Sequence, residues 1–486
     1  MAARARPGRR SPPRCLPSFA GRAGLVAACV VLGAGASAQD AAGAAASPAT
    51  RPALNANRWQ EDWSALADGA LRTEPLDGLK YIALSDADRQ RYLSLGATLR
   101  ERFESNAAPA LGSGHAGTDA WVIERLQLHA DLHAGEHLRA FVQLEDDRAF
   151  AKRSASSADQ DRADLRLAFL ETTTRGALGT LKARIGRQDF AFDLQRFVSS
   201  RDGPNVRQSF DAAWADWESA DWRLIGFVSR PVQYKDGHAF DDASGPAFRF
   251  DTLRLERHVL GANELSAYWS LFQRANARYG DATGAERRQV FDARFAGSQA
   301  ALDWDLEAML QAGSVGASRI RAWAIGPRVG YTFTRVDWQP RIGLQVDAAS
   351  GDTHRGDTTL GTFNPLFPNG YYFALAGYTG YANVLHLKPT LTLKPARALS
   401  VTTALGLLWR QSVADAVYTQ PNVAVAGTAG QGKRWTGAYA QLRADYAVDA
   451  HLWTALEAVR YRVGDTLRAA GARDSSYVGV ELKALW

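Results

Sequence analysis

The 486-residue chain predicts an all-β fold, a transmembrane antiparallel up-and-down β-barrel of about eighteen strands. Three observations lead there. The N-terminus has the form of a secretory leader. From Ser94 onward, polar and apolar residues alternate at period two, so each strand can offer one face to hydrocarbon and one to water. The connections alternate tight and long, as periplasmic turns and external loops do in barrels of the bacterial outer membrane. Beyond residue 38 no apolar run reaches the length of a spanning helix. A closed barrel is the other way to cross a bilayer with every backbone group paired.

The leader comes first. Arg4, Arg6, Arg9, Arg10, Arg14 and Arg22 precede an apolar stretch, Ala23 to Ala36, and Ala36-Ser37-Ala38 is a small-residue cleavage pattern. A signal peptide is expected over 1–38, with Gln39 as the new N-terminus. Val26-Ala27-Ala28-Cys29 also resembles a lipoprotein processing site, although the apolar run before Cys29 is short. The whole chain has 57 basic and 51 acidic residues, and the leader holds six arginines and no acid. The processed chain is therefore balanced, and its charge gives no argument for nucleic acid. Cys15 and Cys29 leave with the leader, so neither disulfides nor thiolate chemistry is expected.

Residues 39–93 read as a periplasmic linker and short N-terminal segment. The part over 39–56 is rich in Ala, Ser, Pro and Gly. Trp63, Leu66, Ala67, Ala70 and Leu71 have helical spacing and predict a short helix within 59–71. The barrel is expected over 94–486. In 94–104, Leu95, Ala97, Leu99 and Phe103 oppose Thr98, Arg100, Arg102 and Glu104. The stretches 121–133 and 138–147 repeat the pattern. Tight connections are expected at 134–137, 174–179, 220–221, 261–263, 297–299, 395–398 and 448–451. Long ones are expected at 105–120, 148–162, 189–211, 232–247, 349–382 and 412–434. In the final strand, Val478, Val480, Leu482, Ala484 and Trp486 share one face, opposite Tyr477, Gly479, Glu481 and Lys483. Such an ending resembles the signal read by the barrel-assembly machinery. Expected partners are that machinery and outer-membrane lipid, with no nucleic acid.

A cylinder of this size is wide enough for water, and its chemistry comes from the polar strand faces. Candidate cations are Arg100, Arg125, Arg139, Arg166, Arg184, Arg187, Arg254, Arg341, Lys388, Arg410, Arg443 and Arg460. Acids share the lining: Glu145, Asp303, Asp305, Glu307, Asp347 and Asp445. Arginine outnumbers lysine 49 to 8, and its planar fork grips a carboxylate through two hydrogen bonds. An arginine ladder attracts an anion, and interspersed acids keep it moving. A GC-rich genome and internal pairing are the plainer explanations of the same residues. Tyr268, Phe272, Tyr371 and Tyr372 offer an alternative, a path for small aromatic or aliphatic solutes.

No catalytic constellation or cofactor motif stands out. The nine histidines form no His-Glu-x-x-His or Cys/His cluster, and no Ser/His pair marks a lipid-hydrolysing site. An outer-membrane enzyme is the third-ranked reading. Asp347, Asp352 and Asp357 have oxygen ligands suited to Ca²⁺, but their five-residue spacing fits solvated loop acids better.

The densest stretch is RIGRQDFAFDLQRFVSSRDGPNVRQSFD, Arg184 to Asp211. It runs from a strand into a long loop, and Asp202-Gly203-Pro204-Asn205 is a strong turn signal. Folded inward, this loop forms a constriction; left outside, it is a lid. Together with DGLKYIAL and YLSLGATLRERFE between Asp77 and Glu104, and FNPLFPNGYYF at Phe363 to Phe373, it resembles the alginate export family of outer-membrane barrels. The resemblance spans most of Asp77 to Trp486. It implies an eighteen-stranded barrel that passes an anionic polyuronate, such as alginate or its oligosaccharides, through an arginine-rich lumen. The positions carried over are Arg100, Arg102, Arg187, Gln188, Asp193, Arg201, Asp202, Asn205 and Arg207. No long periplasmic turn is evident, so a plug has to come from 39–93 or from an infolded loop.

Overall fold

The computed structural model describes residues 50–112, 117–259 and 263–486. The expected leader over 1–38, the start of the linker and most of the turn at 261–263 lie outside these residues. Among those described, eighteen antiparallel strands close one cylinder. The first strand, Arg91–Asn106, pairs on one side with the second, Asp119–Ala134. On the other side it meets the last, Ser475–Leu485, in a register running from Thr98↔Leu485 to Asn106↔Tyr477. Closure leaves no sheet edge.

The cylinder is inside out by the standards of a soluble protein. In the first strand Ser94, Thr98, Arg100, Arg102 and Glu104 are buried, while Leu99 and Phe103 are 36% and 44% exposed. In the last strand Tyr477 and Glu481 are buried and Val478, Val480 and Leu482 are exposed. A band of exposed Leu, Val and Phe around a charged interior needs hydrocarbon outside and a hydrated, ion-paired lumen inside. Trp486 departs from its expected face. The strand ends at Leu485, and the Trp486 ring lies 4.8 Å from the Lys80 ammonium.

The rhythm of tight and long connections breaks at three places. Two external connections are two-residue hairpins, at Gly280-Asp281 and Gly316-Ala317. Gly316 has φ +54°, the left-handed backbone such a turn favours. These tips are covered from elsewhere. In the loop over 350–383, the Gly356 N–H donates to Asp281, and Thr359–Leu360 pairs in parallel with Arg319 and Ile320. On the periplasmic side, residues 333–340 form a longer turn than expected. The turn expected at 297–299 falls at Ala300-Ala301, because strand Ala282–Gln299 runs further. The twelfth strand is split into Ser318–Ile325 and Arg328–Thr332 around Gly326-Pro327.

Residues 50–90 dock at the periplasmic mouth. The expected helix within 59–71 is three 3₁₀ turns, Arg58–Gln60, Ser64–Ala67 and Gly69–Leu71. Asp68 interrupts helical continuation: its side chain accepts the Ala70 N–H and starts a fresh turn. Burial of Trp63 and Leu66 against Tyr81 and Tyr92 fixes the segment. A four-residue helix, Asp77–Lys80, follows.

Candidate functional site: a charged constriction in the lumen

Two loops turn inward and meet inside the cylinder. The loop over 189–209 follows the fifth strand, Gly179–Gln188. The loop over 350–383 follows the thirteenth, Arg341–Ala349. They join through Phe367 N–H to Phe197 O (2.8 Å) and Ser199 N–H to Phe367 O (2.9 Å). Phe197, Phe363, Tyr372, Phe373 and Tyr381 form an aromatic knot at the junction. This is why Tyr268, Phe272 and Tyr372 do not line an open aromatic path: all three are buried in packing. Tyr371 is half-buried, its ring 5.0 Å from the Arg102 guanidinium.

Salt bridges nail the first loop to the wall. Asp189 pairs with Arg166 (3.1 Å) and accepts the Trp59 indole N–H (3.1 Å). Asp193 receives Arg254 (2.7 Å) and Arg294 (2.9 Å). Arg196 is fully enclosed and bonds Asp305 (2.7 Å), Glu307 and the Tyr372 hydroxyl (2.6 Å). Arg196 belongs to the motif stretch, but its role as an anchor carries no local signal. Gly326, at the break in the twelfth strand, makes room for it: a Cβ there would lie 2.7 Å from Arg196 Nε. Asn205 donates its amide nitrogen to the wall carbonyls of Glu124 and Arg148 and to that of Asp159 in the external loop between the third and fourth strands.

Most of the candidate cations lie on the inner wall, and most are paired. Arg100 bonds Glu481 (2.9 Å), and Arg102 bridges Glu104, Glu457 and Glu481. Arg139 pairs with Asp131, Arg187 with Asp211, Arg341 with Asp303, and Arg443 with Asp445 and Glu457. Arg184 pairs with Glu171 and lies over the rings of Trp59, Phe169 and Trp214. Lys388 donates to Phe373 O (2.7 Å), and Gln188 to Ala212 O (3.2 Å).

Two expectations need correction. Arg410 is not on the wall. It lies one residue past strand Leu399–Trp409 and donates to the carbonyls of Asp415, Thr428, Gln431 and Lys433, holding the external loop over 410–434. Arg460 faces outward, because strand Leu452–Val463 turns Glu457, Val459 and Tyr461 inward. Asp347, Asp352 and Asp357 do not converge either. Asp347 bonds His386 and Tyr372 deep in the lumen, Asp352 lies by Asp415, and Asp357 caps Thr359.

Arg201 and Asp202 differ from the rest. Arg201 is half-exposed, and no carboxylate pairs with it among the described residues. Its guanidinium lies 5.5 Å from the Phe367 ring. Asp202 sits among Arg125 (2.7 Å), Arg207 (3.4 Å) and Lys483 (3.7 Å). Burial pushes its carboxyl up, but Lys483, Arg125, Arg207 and Arg100 outweigh it and hold the group well below the usual carboxylate range.

Three cavities lie along the lumen. An external one of about 400 Å³ is lined by Arg201, Gly203, Tyr234 and Tyr371. A central one of about 280 Å³ is lined by Ser200, Asp189, Arg184 and Trp59. A periplasmic one of about 450 Å³ is lined by His133, Arg139, Glu171 and Lys182. Ser200 and Arg201 divide the external cavity from the central one, and Gln60 of the docked N-terminal segment lines both the central and the periplasmic cavity.

A closed eighteen-strand cylinder with an apolar belt and a charged, chambered lumen is a bacterial outer-membrane channel. The chain belongs to the alginate export family, whose model, described as Alginate export, matches residues 91–481. Solved porins of Pseudomonas aeruginosa share the fold. OccD3 (OpdP) is 11% identical with a TM-score of 0.56, covering 84% of this chain and 93% of its own. OccK2 (OpdF), solved in complex with glucuronate, is 13% identical with a TM-score of 0.52, covering 81% and 96%. OccK11 (OpdR) is 14% identical with a TM-score of 0.50, covering 81% and 95%. No curated protein sequence matches the chain.

Proposed function

We propose that this channel passes sugar-acid anions, uronates and short oligouronates of the alginate type, across the constriction at Ser200–Arg207. The observation that carries the reading is the pair Arg201 and Asp202: a cation without an acidic partner among the described residues, beside an acid held by three cations. Asp202 acts as a built-in counterion. A solute carboxylate first meets Arg201, then exchanges with Asp202 on Arg125, Arg207 and Lys483. Because the exchange trades one carboxylate for another, the anion is attracted without being trapped. Cavities of about 280 and 400 Å³ favour short solutes, and a longer polyuronate requires the inward loops to shift. Burial of Tyr268, Phe272 and Tyr372 disfavours the alternative of small aromatic or aliphatic solutes. In the same reading residues 1–38 are the leader, 50–90 a periplasmic plug, and the last strand the segment handed to the assembly machinery.

Planar-bilayer recording tests this. The expected result is anion preference in a salt gradient and a current reduced by glucuronate or oligouronate but not by glucose. Asp202→Asn should raise anion preference by a factor of a few, and Arg201→Ala should lower it. Cation preference with no uronate block overturns the proposal.

A further inference from the structure

Away from the constriction, three carboxylates meet where the external loop over 234–247 rests on the start of the fourth strand, Asp161–Gly176. Asp161 opens that strand, and Asp241 and Asp242 come from the loop. One oxygen of each lies within 4.8 Å of the other two. The loop is seated there by Phe240 N–H to Ala163 O (3.1 Å) and Asp242 N–H to Asp164 (3.0 Å).

The second observation is an unmet need. Asp161 is only 5% exposed, and its enclosed Oδ1 meets no N–H or hydroxyl donor among the described residues. Asp241 Oδ1 is also enclosed and without a hydrogen-bond partner among the described residues. The other oxygens of the loop pair are already oriented. Asp241 Oδ2 accepts the His238 N–H (3.1 Å), and Asp242 Oδ1 accepts the Lys235 N–H (2.8 Å). No ion pair joins Asp161, Asp241 or Asp242 to a cation among the described residues. Arg187 instead bonds Asp211 and the carbonyls of Leu165 and Asp242, and the Lys235 ammonium bonds the Asp241 carbonyl.

Three converging carboxylates are costly to enclose as anions; Asp161 and Asp242 lie within hydrogen-bond reach and can share a proton, and a bound cation relieves all three at once. An all-oxygen ligand set with no nitrogen or sulfur suits a hard divalent cation, and flexible loop geometry suits Ca²⁺ better than Mg²⁺. We propose that Asp161, Asp241 and Asp242 bind one Ca²⁺ ion at the external mouth, with water completing the shell on the half-exposed side of the loop. The ion ties the loop to the wall. It also steadies Tyr234, whose hydroxyl accepts the Ser209 N–H (2.6 Å) at the end of the inward loop. The site stands independently of which solute the channel passes.

The test is calorimetric titration of the processed, detergent-solubilised barrel, free of lipopolysaccharide, with CaCl₂. One ion per barrel is expected, with a dissociation constant on the order of 10⁻⁴ to 10⁻³ M, the range of extracellular Ca²⁺ sites. MgCl₂ should bind more weakly. Ca²⁺ should raise the unfolding midpoint, and EDTA should reverse the rise. Asp241→Asn and Asp242→Asn should each weaken binding tenfold or more, while heat-modifiable migration shows that the barrel still forms. Asp241 is half-exposed, so its variant guards against a folding failure elsewhere. Absence of saturable binding at millimolar CaCl₂ overturns the proposal, as does unchanged binding in both variants.

Discussion

Arg196 is the side chain on which the inward loop turns. It is wholly enclosed, and its partners Asp305 and Glu307 lie on the eleventh strand, Leu302–Val315. Removing it leaves Glu307 without a cation among the described residues and Asp305 with Arg294 alone, and breaking a buried pair in this way typically costs about 3–5 kcal/mol. Arg196→Ala is expected to release the loop over 189–209 while the barrel persists. Single-channel recording should then show conductance raised by a factor of a few, with unchanged heat-modifiable migration. Which way such residues face was legible in the sequence, because alternation is local: Arg100, Arg125, Arg139, Arg184 and Arg341 all point inward as the pattern requires. Which acid each one meets was not, since partners such as Arg102 and Glu481 come from opposite ends of the chain. Alternation also misleads where it stops. Arg410 lies just past a strand end. Arg460 shares its strand with Val459 and Tyr461, apolar residues that face the lumen because the infolded loop covers them there.

At the level of elements, the N-terminal segment is the second barrier. Trp59 and Gln60 border the central cavity, and Lys80 is enclosed beneath Trp63 and Trp486 while donating to Leu95 O. Deleting 50–90 should therefore enlarge single-channel conductance more than Arg196→Ala does. Burial and the neighbouring Arg58 lower the Lys80 ammonium to about 7 from its usual 10.5. Between those two values the released segment holds the proton and the docked one does not, so docking strengthens as pH rises through that window. His451, raised by its bond to the Leu485 carbonyl and by Glu74, acts in the opposite sense but is far more exposed. Limited trypsin digestion should cut within 50–90 faster at pH 6.5 than at pH 9, and Lys80→Met should flatten the difference. The inward loop was readable as a charged, turn-bearing segment. Its docking was not, because the decision between constriction and lid lies in ion pairs with Arg254, Asp305 and Arg125 on distant strands.

For the whole molecule, the apolar belt is the feature that the membrane enforces. Leu405 stands outward near the middle of its strand, 57% exposed. Leu405→Arg should cost roughly 2–4 kcal/mol in equilibrium unfolding from liposomes, whereas Leu178→Arg, in a periplasmic turn, should cost at most about 1 kcal/mol. Equal costs at the two sites would contradict the placement of the bilayer. Barrel and strand number could be read early because period-two patterning repeats in every strand, so local errors average out. The hairpins at Gly280 and Gly316 escaped because a loop from another part of the chain covers them. One contact at the seam bears on biogenesis. The Arg58 guanidinium donates to Ala97 O (2.9 Å), in the first strand, and to Trp486 O (3.0 Å), the residue just past the last strand that itself bonds Ala97 where the ring closes. That pair of acceptors exists only once the first strand has found the last. The N-terminal tail is thus a latch that engages after circularisation, and its protection from protease reports, in time, the moment the nascent wall seals.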